Sequence, residues 1–517
     1  MSYTDEMSAS LSVAPLHLNR LLSCLAVLGL GGALLLTTVS LRGTEYDEQY
    51  TMQLVAGIAR PAWPQTAFTA ADARAMRAGS SDFIAIAENL RATDVHPPLY
   101  FWTASLWRDL VGPGLERMRL LSVVFALLSL IAVGQIARSA RIRPALPMLF
   151  TLGCYGFVYT GAIARGFALA QLLSLCGVAL LLRADGRRDR VSALAGGLML
   201  GAASFTNYLS VFVAIAALLW LLIRKPGAIG LWLAAGLGFL VFLPADLWFF
   251  AAQHGTRIGQ FPPFDMIHGV ALLARFGAGA IFGGLPLYVT GTARTVLTGA
   301  LGGVLAGLSA LVVWRWRGLA RPGAKFLLAM AVVAPAIGLM ALGVIFDTTP
   351  IELRYLSFAV PFAALLLAGS LGTLPRQLAF PIAALVLTIQ GISLAGLLTR
   401  SETMQPARAI AGLAASLAWP NAAVLVARGN DGVGVVGAFA TEAPDWLPIL
   451  VIDRQESPGQ IRVRAGNFPR AVLALLEQDD SSRATAQLLM AAFTDQPCWR
   501  RAPGAFKVMV FDRICGP

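Results

Sequence analysis

Apolar residues fill most of the first 400 positions in long runs rather than in alternating or amphipathic patterns. A bilayer core takes about 20 apolar residues per helix. Runs of that kind lie near 20–41, 118–137, 145–163, 166–182, 192–206, 208–223, 228–250, 294–314, 326–346, 355–373 and 379–398. The pattern predicts about eleven membrane helices, with one long run divided at Asn207-Tyr208. Residues 97–112 and 270–286 are apolar but short or interrupted, and read as half-buried or interfacial segments. The first run is too long for a cleaved signal peptide, and no small-residue cleavage site follows it.

Past residue 400 the pattern becomes that of a soluble domain. Val424–Val426, Ile449–Ile452 and Val508–Phe511 read as strands, and 470–478 and 481–494 as amphipathic helices. The expectation is a polytopic α-helical membrane protein. Residues 1–400 form its membrane module, with a long first outer loop at 42–97. Residues 401–517 form a small α/β or α+β domain.

Composition sharpens this picture. Of 517 residues, 57% are hydrophobic and 13% charged, against roughly 25% charged in ordinary soluble domains. That excludes a soluble enzyme and a disordered chain. The net charge of +12 suggests a nucleic-acid partner until its location is checked. With the N-terminus placed in the cytoplasm, the cytoplasmic loops hold Arg138, Arg141, Arg143, Arg183, Arg187, Arg188, Arg190, Arg224, Lys225, Arg315, Arg317, Arg321, Lys325 and Arg376. Only Asp185 and Asp189 oppose these 14 residues, a surplus equal to the whole net charge. Positive-inside orientation accounts for it without any nucleic acid. Residues 401–517 carry 11 basic and 11 acidic residues. The loops 42–97 and 251–293 and the C-terminal domain then lie outside the cytoplasm. Five cysteines are too few for a disulfide scaffold. Cys498 and Cys515 fall on the oxidising side and are candidates for one bond. Cys24, Cys154 and Cys176 read as inert apolar residues.

Candidate chemistry gathers at the outer ends of the spans, where ionisable residues are costly and default to functional hypotheses. The first loop opens with Glu45-Tyr46-Asp47-Glu48-Gln49-Tyr50. A carboxylate there could take a proton from an acceptor hydroxyl or ligate a divalent metal, or it could be a solvated acidic turn. The loop ends with His96-Pro97-Pro98-Leu99-Tyr100-Phe101-Trp102. Its histidine could bond a phosphate, orient a carboxylate, or only cap the chain. Arg165, between two apolar runs, could neutralise a phosphate or snorkel to headgroups. Glu352-Leu353-Arg354-Tyr355 opens the tenth span, with Pro361 inside it. Arg354 could pair with Glu352 or face a substrate. Gly432-Val433-Gly434-Val435-Val436-Gly437 matches the dinucleotide fingerprint after a strand. Because 438–446 contains Pro444 and opens no clear helix, the segment reads as a glycine-rich turn.

Taken in order, these segments resemble the GT-C class of integral-membrane glycosyltransferases. This is the broad, family 39-like group with the protein O-mannosyltransferases and the lipid A aminoarabinose transferase. The resemblance rests on Asp47-Glu48, His96-Pro97-Pro98-Leu99-Tyr100, Ala164-Arg165-Gly166-Phe167-Ala168-Leu169, Thr206-Asn207-Tyr208, and Arg354-Tyr355 with Pro361. It implies transfer of a sugar from a polyprenyl-phosphate donor to an envelope lipid, glycan or protein hydroxyl. The reaction would occur at the outer face of the cytoplasmic (inner) membrane. It also implies that Asp47 is the general base or part of the acceptor-activating site, with Glu48 beside it as a second catalytic candidate, and that Arg165 and Arg354 are candidates to meet the donor phosphate. Tyr46, His96, Tyr100, Asn207, Tyr208, Glu352 and Tyr355 become candidates for substrate binding. The family often has Glu where Ile163 stands and His where Asn207 stands, so a further catalytic carboxylate is not implied. The competing reading is a multi-span transporter or lipid flippase. It predicts internal repeats and polar residues near bilayer midplanes, whereas the charges here lie at one interface.

Overall fold

The computed structural model describes residues 3–58, 60–224, 229–253, 262–283, 289, 291–319, 321–399, 406–418 and 421–515, with side chains from Leu18 onward. Lys225 and parts of the 251–293 loop and the 270–286 segment lie outside the described residues.

The long apolar runs are helices, and the chain is a polytopic helical membrane protein. Among the described residues, seven helices are long and apolar enough to cross: Leu18–Leu41, Leu115–Ser139, Phe167–Arg187, Gly291–Trp314, Pro322–Phe346, Leu353–Leu371 and Arg376–Thr399. Ile229–Leu240 and Leu243–Gln253, bent by 46°, make an eighth if taken as one span. The other expected spans are helical but shorter. Residues 145–163 break at extended Cys154 into helices Ala145–Gly153 and Tyr155–Gly161. The run at 192–223 does divide near Asn207. That residue adopts extended backbone, and its side chain accepts a hydrogen bond from the Leu209 N–H, capping the next turn.

Pro361 is not in a helix interior. The 353–359 segment is a 3₁₀ helix, and Pro361 falls in the first turn of helix Val360–Leu371. A proline there gives up no intrahelical bond. The membrane core is one large apolar cluster spanning these helices. Glycines permit its closest crossings: a Cβ on Gly197 would lie 1.9 Å from the Ala235 carbonyl oxygen.

The part of the chain beyond the spans centres on one six-stranded sheet. Its strands are β1 (Phe68–Thr69), β2 (Ala423–Ala427), β3 (Pro448–Ile452), β4 (Arg470–Ala474), β5 (Trp499–Ala505) and β6 (Val508–Arg513). They lie in the order β1-β3-β2-β4-β6-β5, with β3, β2 and β4 mutually parallel. β1 comes from the first outer loop and pairs antiparallel with β3, so that loop supplies an edge of the sheet. Helices Ala407–Ala418 and Gly434–Glu442 cover one face, and Pro458–Ala465 and Asp480–Phe493 the other.

Two expectations for this region are corrected. Residues 470–474 form a strand, not part of a helix. β4 lies between β2 and β6 and is buried on both faces, so its apolar residues run continuously as in a buried helix. Residues 434–442 form a helix where a turn was expected. Cys498 and Cys515 are disulfide-bonded.

Candidate active site

The first span ends at Leu41, and after six residues the chain enters a short helix, Glu48–Leu54, with Asp47 at its N-cap. Glu48 is fully buried and receives four hydrogen bonds. Arg119 donates Nε at 2.7 Å and Nη2 at 2.6 Å, the Ala164 N–H donates at 2.8 Å, and the Glu45 N–H at 3.0 Å. Arg119 also donates to the carbonyls of Val39, Arg42 and Gly43. One turn along the helix, the Thr51 hydroxyl donates to the Ala164 carbonyl, and Ser122 donates to that of Ile163. Glu48 and Thr51 therefore clamp the turn that carries Arg165. Its acceptors are filled from within the protein and its side chain is 0% exposed, so Glu48 faces the interior and not the cavity described below.

Asp47 points elsewhere. Its side chain caps no backbone group and pairs with the Arg354 guanidinium. Arg354 also pairs with Glu352 at 2.6 Å, and rests over the rings of Phe167 (5.9 Å) and Tyr355 (5.4 Å). Phe167 and Tyr355 are themselves stacked. Tyr355 lines a cavity of about 340 Å³ with His96, Asn207, Tyr208, Gln253 and Phe250. Asp47 thus pairs with an arginine that rests on the ring of one cavity-lining residue, Tyr355.

His96, in the cavity wall, connects it to a second arginine. Its Nδ1 lies 2.8 Å from Asp94 and 3.2 Å from Arg165 Nη2. Arg165 is buried, with Nη1 unpartnered. An unsatisfied guanidinium nitrogen is costly unless a ligand completes it. Gln253 holds the wall by donating to the carbonyls of Leu90 and His96 and accepting from the Tyr208 hydroxyl.

Two expected substrate contacts fall away from the cavity. Tyr100 is wholly buried in an apolar cluster with Phe101 and Leu169, because its helix, Leu99–Val111, turns that face inward. Tyr46 points to the outer sheet, where its hydroxyl donates to Asp479 and its ring lies on Gly434. Burial is the main reason its phenol, and that of Tyr50, is pushed up and stays a neutral donor. His96, Asn207, Tyr208 and Tyr355 line the cavity, Arg165 touches it through His96, and Asp47 and Glu352 reach it only through Arg354 on the Tyr355 ring. Among the described residues, no group of three His, Cys, Asp or Glu side chains could hold a metal ion.

A family model described as dolichyl-phosphate-mannose-protein mannosyltransferase matches residues 95–248. No curated protein matches by sequence. The fold is similar to that of ArnT from Cupriavidus metallidurans. The apo form gives a TM-score of 0.54, and the form bound to undecaprenyl phosphate 0.52. Identity is 13%, over 95% of this chain and 98–99% of that one. The chain has the GT-C glycosyltransferase fold. A looser likeness, TM-score 0.44 at 12% identity, links it to the Archaeoglobus fulgidus oligosaccharyltransferase, over 86% of this chain and 67% of that one.

Within this GT-C fold the matched stretch holds His96, Arg165, Asn207 and Tyr208, whereas Asp47 and Arg354 lie outside it. Sequence reasoning missed Arg119, Asp94 and Gln253. Arg119 had a signal, a charge inside the apolar 118–137 run. Asp94 had a weaker one, an acid two positions before His96. Gln253 had none.

Proposed function

We propose that this protein transfers a glycosyl group from a polyprenyl-phosphate-linked sugar to a hydroxyl of an envelope lipid, glycan or protein. The reaction takes place at the outer face of the cytoplasmic membrane. The N-terminus is then cytoplasmic, and the first loop and the 401–517 domain lie outside. The observation that carries this reading is the pairing of Asp47 with Arg354, whose guanidinium rests on the cavity-lining ring of Tyr355.

The chemistry needs a base at the acceptor and positive charge at the leaving group. The acceptor hydroxyl gives its proton to Asp47 as its oxygen bonds to the anomeric carbon. The bond from that carbon to the donor phosphate oxygen breaks, and polyprenyl phosphate leaves. Its growing charge is met by Arg354 and by the unpartnered Nη1 of Arg165. A phosphate that draws Arg354 toward itself also loosens that arginine's hold on Asp47, so donor binding frees the base. A polyprenyl tail confines the phosphate to headgroup level, where these residues were expected from the spans. The bond of ArnT to undecaprenyl phosphate agrees with this donor class.

Mass spectrometry of envelope glycolipids and glycans, from cells producing the protein and cells lacking it, tests the reading. A mass difference of one sugar unit is expected, and Asp47→Asn should cut it by about a hundredfold or more at unchanged protein abundance. Full transfer by that variant would remove Asp47 as the base.

A further inference from the structure

In the outer sheet, β2 and β4 are parallel neighbours whose following helices leave to opposite faces. Helix Gly434–Glu442 packs on the face carrying Val424, Val426 and Val472, and helix Asp480–Phe493 on the face carrying Leu425 and Leu473. Such a divergence opens a crevice at the carboxyl ends of the strands, the usual ligand position in open α/β sheets. The loops forming it are 428–433 and 475–479.

This crevice is filled by the chain itself. The Tyr46 ring lies where a Cβ on Gly434 would stand, 2.1 Å from that position, so only glycine admits it. Its hydroxyl donates to Asp479 at 3.3 Å. Tyr50, one turn on, places its hydroxyl 3.0 Å from that of Tyr46 and donates to Asp431 at 2.7 Å. Both carboxylates are already oriented by backbone amides, one of them reaching across between the two loops. Asp479 accepts from the N–H of Asn430 and of Ser482, and Asp431 from that of Val433. Gln49 fits against Gly437 in the same way.

The Glu48–Leu54 helix is therefore gripped on two sides. Glu48 and Thr51 bind it to the membrane body, and Tyr46, Gln49 and Tyr50 bind it to the sheet. We propose that the β2–β4 crevice is a receptor for this helix and positions Asp47, making the outer domain a working part of the active site instead of a separate acceptor-selecting module. The docking stands on geometry alone. Its consequence for catalysis rests on the reading of Asp47 as base.

Amide hydrogen exchange on the full chain in lipid nanodiscs tests the docking. Tyr50→Phe removes the hydroxyl that joins Asp431 and Tyr46 while keeping the ring. It should speed exchange in residues 48–54 by about tenfold and leave β2 and β4 unchanged. The sugar increment on envelope glycolipids and glycans should fall by about tenfold, because a small displacement of a base is expensive in rate. Binding of undecaprenyl phosphate should be unaltered. Asp431→Ala should reproduce both effects, Asp431→Asn should recover most of the loss, and the Tyr50→Phe, Asp431→Ala double variant should be no worse than either single one. Unchanged exchange in Tyr50→Phe would overturn the docking. Faster exchange with wild-type sugar transfer would overturn the positioning role. If Asp47→Asn itself proves silent, the base assignment is what fails, and the exchange result still decides the docking.

Discussion

Asp47 and Glu48 are adjacent in the chain and opposite in circumstance. Glu48 is 0% exposed, and its partner Arg119 2%. Every acceptor position facing the protein is used, by a guanidinium and two backbone amides. Asp47 is 14% exposed and Arg354 11%. That pair lies against aromatic rings that open on a cavity. The two carboxylates show how one acidic doublet divides its labour. A buried, saturated ion pair fixes geometry, because neither member can leave without stranding the other's charge. A pair at a rim can exchange partners when an anion arrives. On the reading of Asp47 as base, chemistry belongs to the second kind, and the first kind holds it in place.

Removing Glu48 should have the largest effect. Glu48→Ala strands Arg119 and the Ala164 N–H in the interior, a loss of about 3–5 kcal/mol. The expected outcome is poor accumulation in the membrane and a large drop in melting temperature in detergent. A variant that accumulates and melts like wild type would erase the distinction between the two acids.

Asp47→Asn should cost less stability than Glu48→Ala, since asparagine keeps the volume and an acceptor for Arg354, which also keeps Glu352. Sugar transfer should fall by about a hundredfold or more, the scale of a lost general base. Measuring melting and transfer on the same preparations separates the two residues: one loses its fold, the other its activity.

Arg165→Ala comes next. Its loss removes one charge-assisted bond to a phosphate, so the Kd for undecaprenyl phosphate should rise by about tenfold. Titration by ligand-induced thermal shift reads this directly. An unchanged Kd would leave the unpartnered Nη1 without a ligand.

The division between readable and hidden features follows from burial. The spans were readable because a bilayer demands apolar length. The broken helix at Cys154 was not, since residues on both sides of the break are equally apolar. β4 was misread because a strand buried on both faces loses its alternation. The helix at 434–442 was masked by Gly434 and Gly437, poor helix formers retained where Tyr46 and Gln49 press against the backbone. Asp47, His96 and Arg165 stood out as polar residues at span ends. Arg119 announced itself equally, as a charge within a span, yet its partner was invisible because Glu48 is 71 residues away. The burial of Tyr100 and the outward turn of Tyr46 depend on packing that no local pattern encodes.

A third ion pair extends the comparison to its weak end. Arg428 and Asp453 meet at 2.8 Å in the outer domain but are 44% and 34% exposed. Burial pushes the Asp453 carboxyl up, but the Arg428 hydrogen bond, the Gln455 N–H and nearby arginines outweigh it and hold the carboxyl below its ordinary value of 3.8. A carboxyl lowered in the folded state contributes stability above the unfolded value and loses it as pH falls through the lowered one. Solvent screening limits the pair to under about 0.5 kcal/mol. Asp453→Asn should therefore melt marginally below wild type at neutral pH, with the gap closing under acid conditions. Sugar transfer should be unaffected. The three acids should then rank by burial, from Glu48 through Asp47 to Asp453, in what each contributes to stability, while on the proposed reading only the middle one takes the acceptor's proton. A gap at neutral pH as large as that of Glu48→Ala would show that position in the fold, and not burial, sets the worth of these pairs.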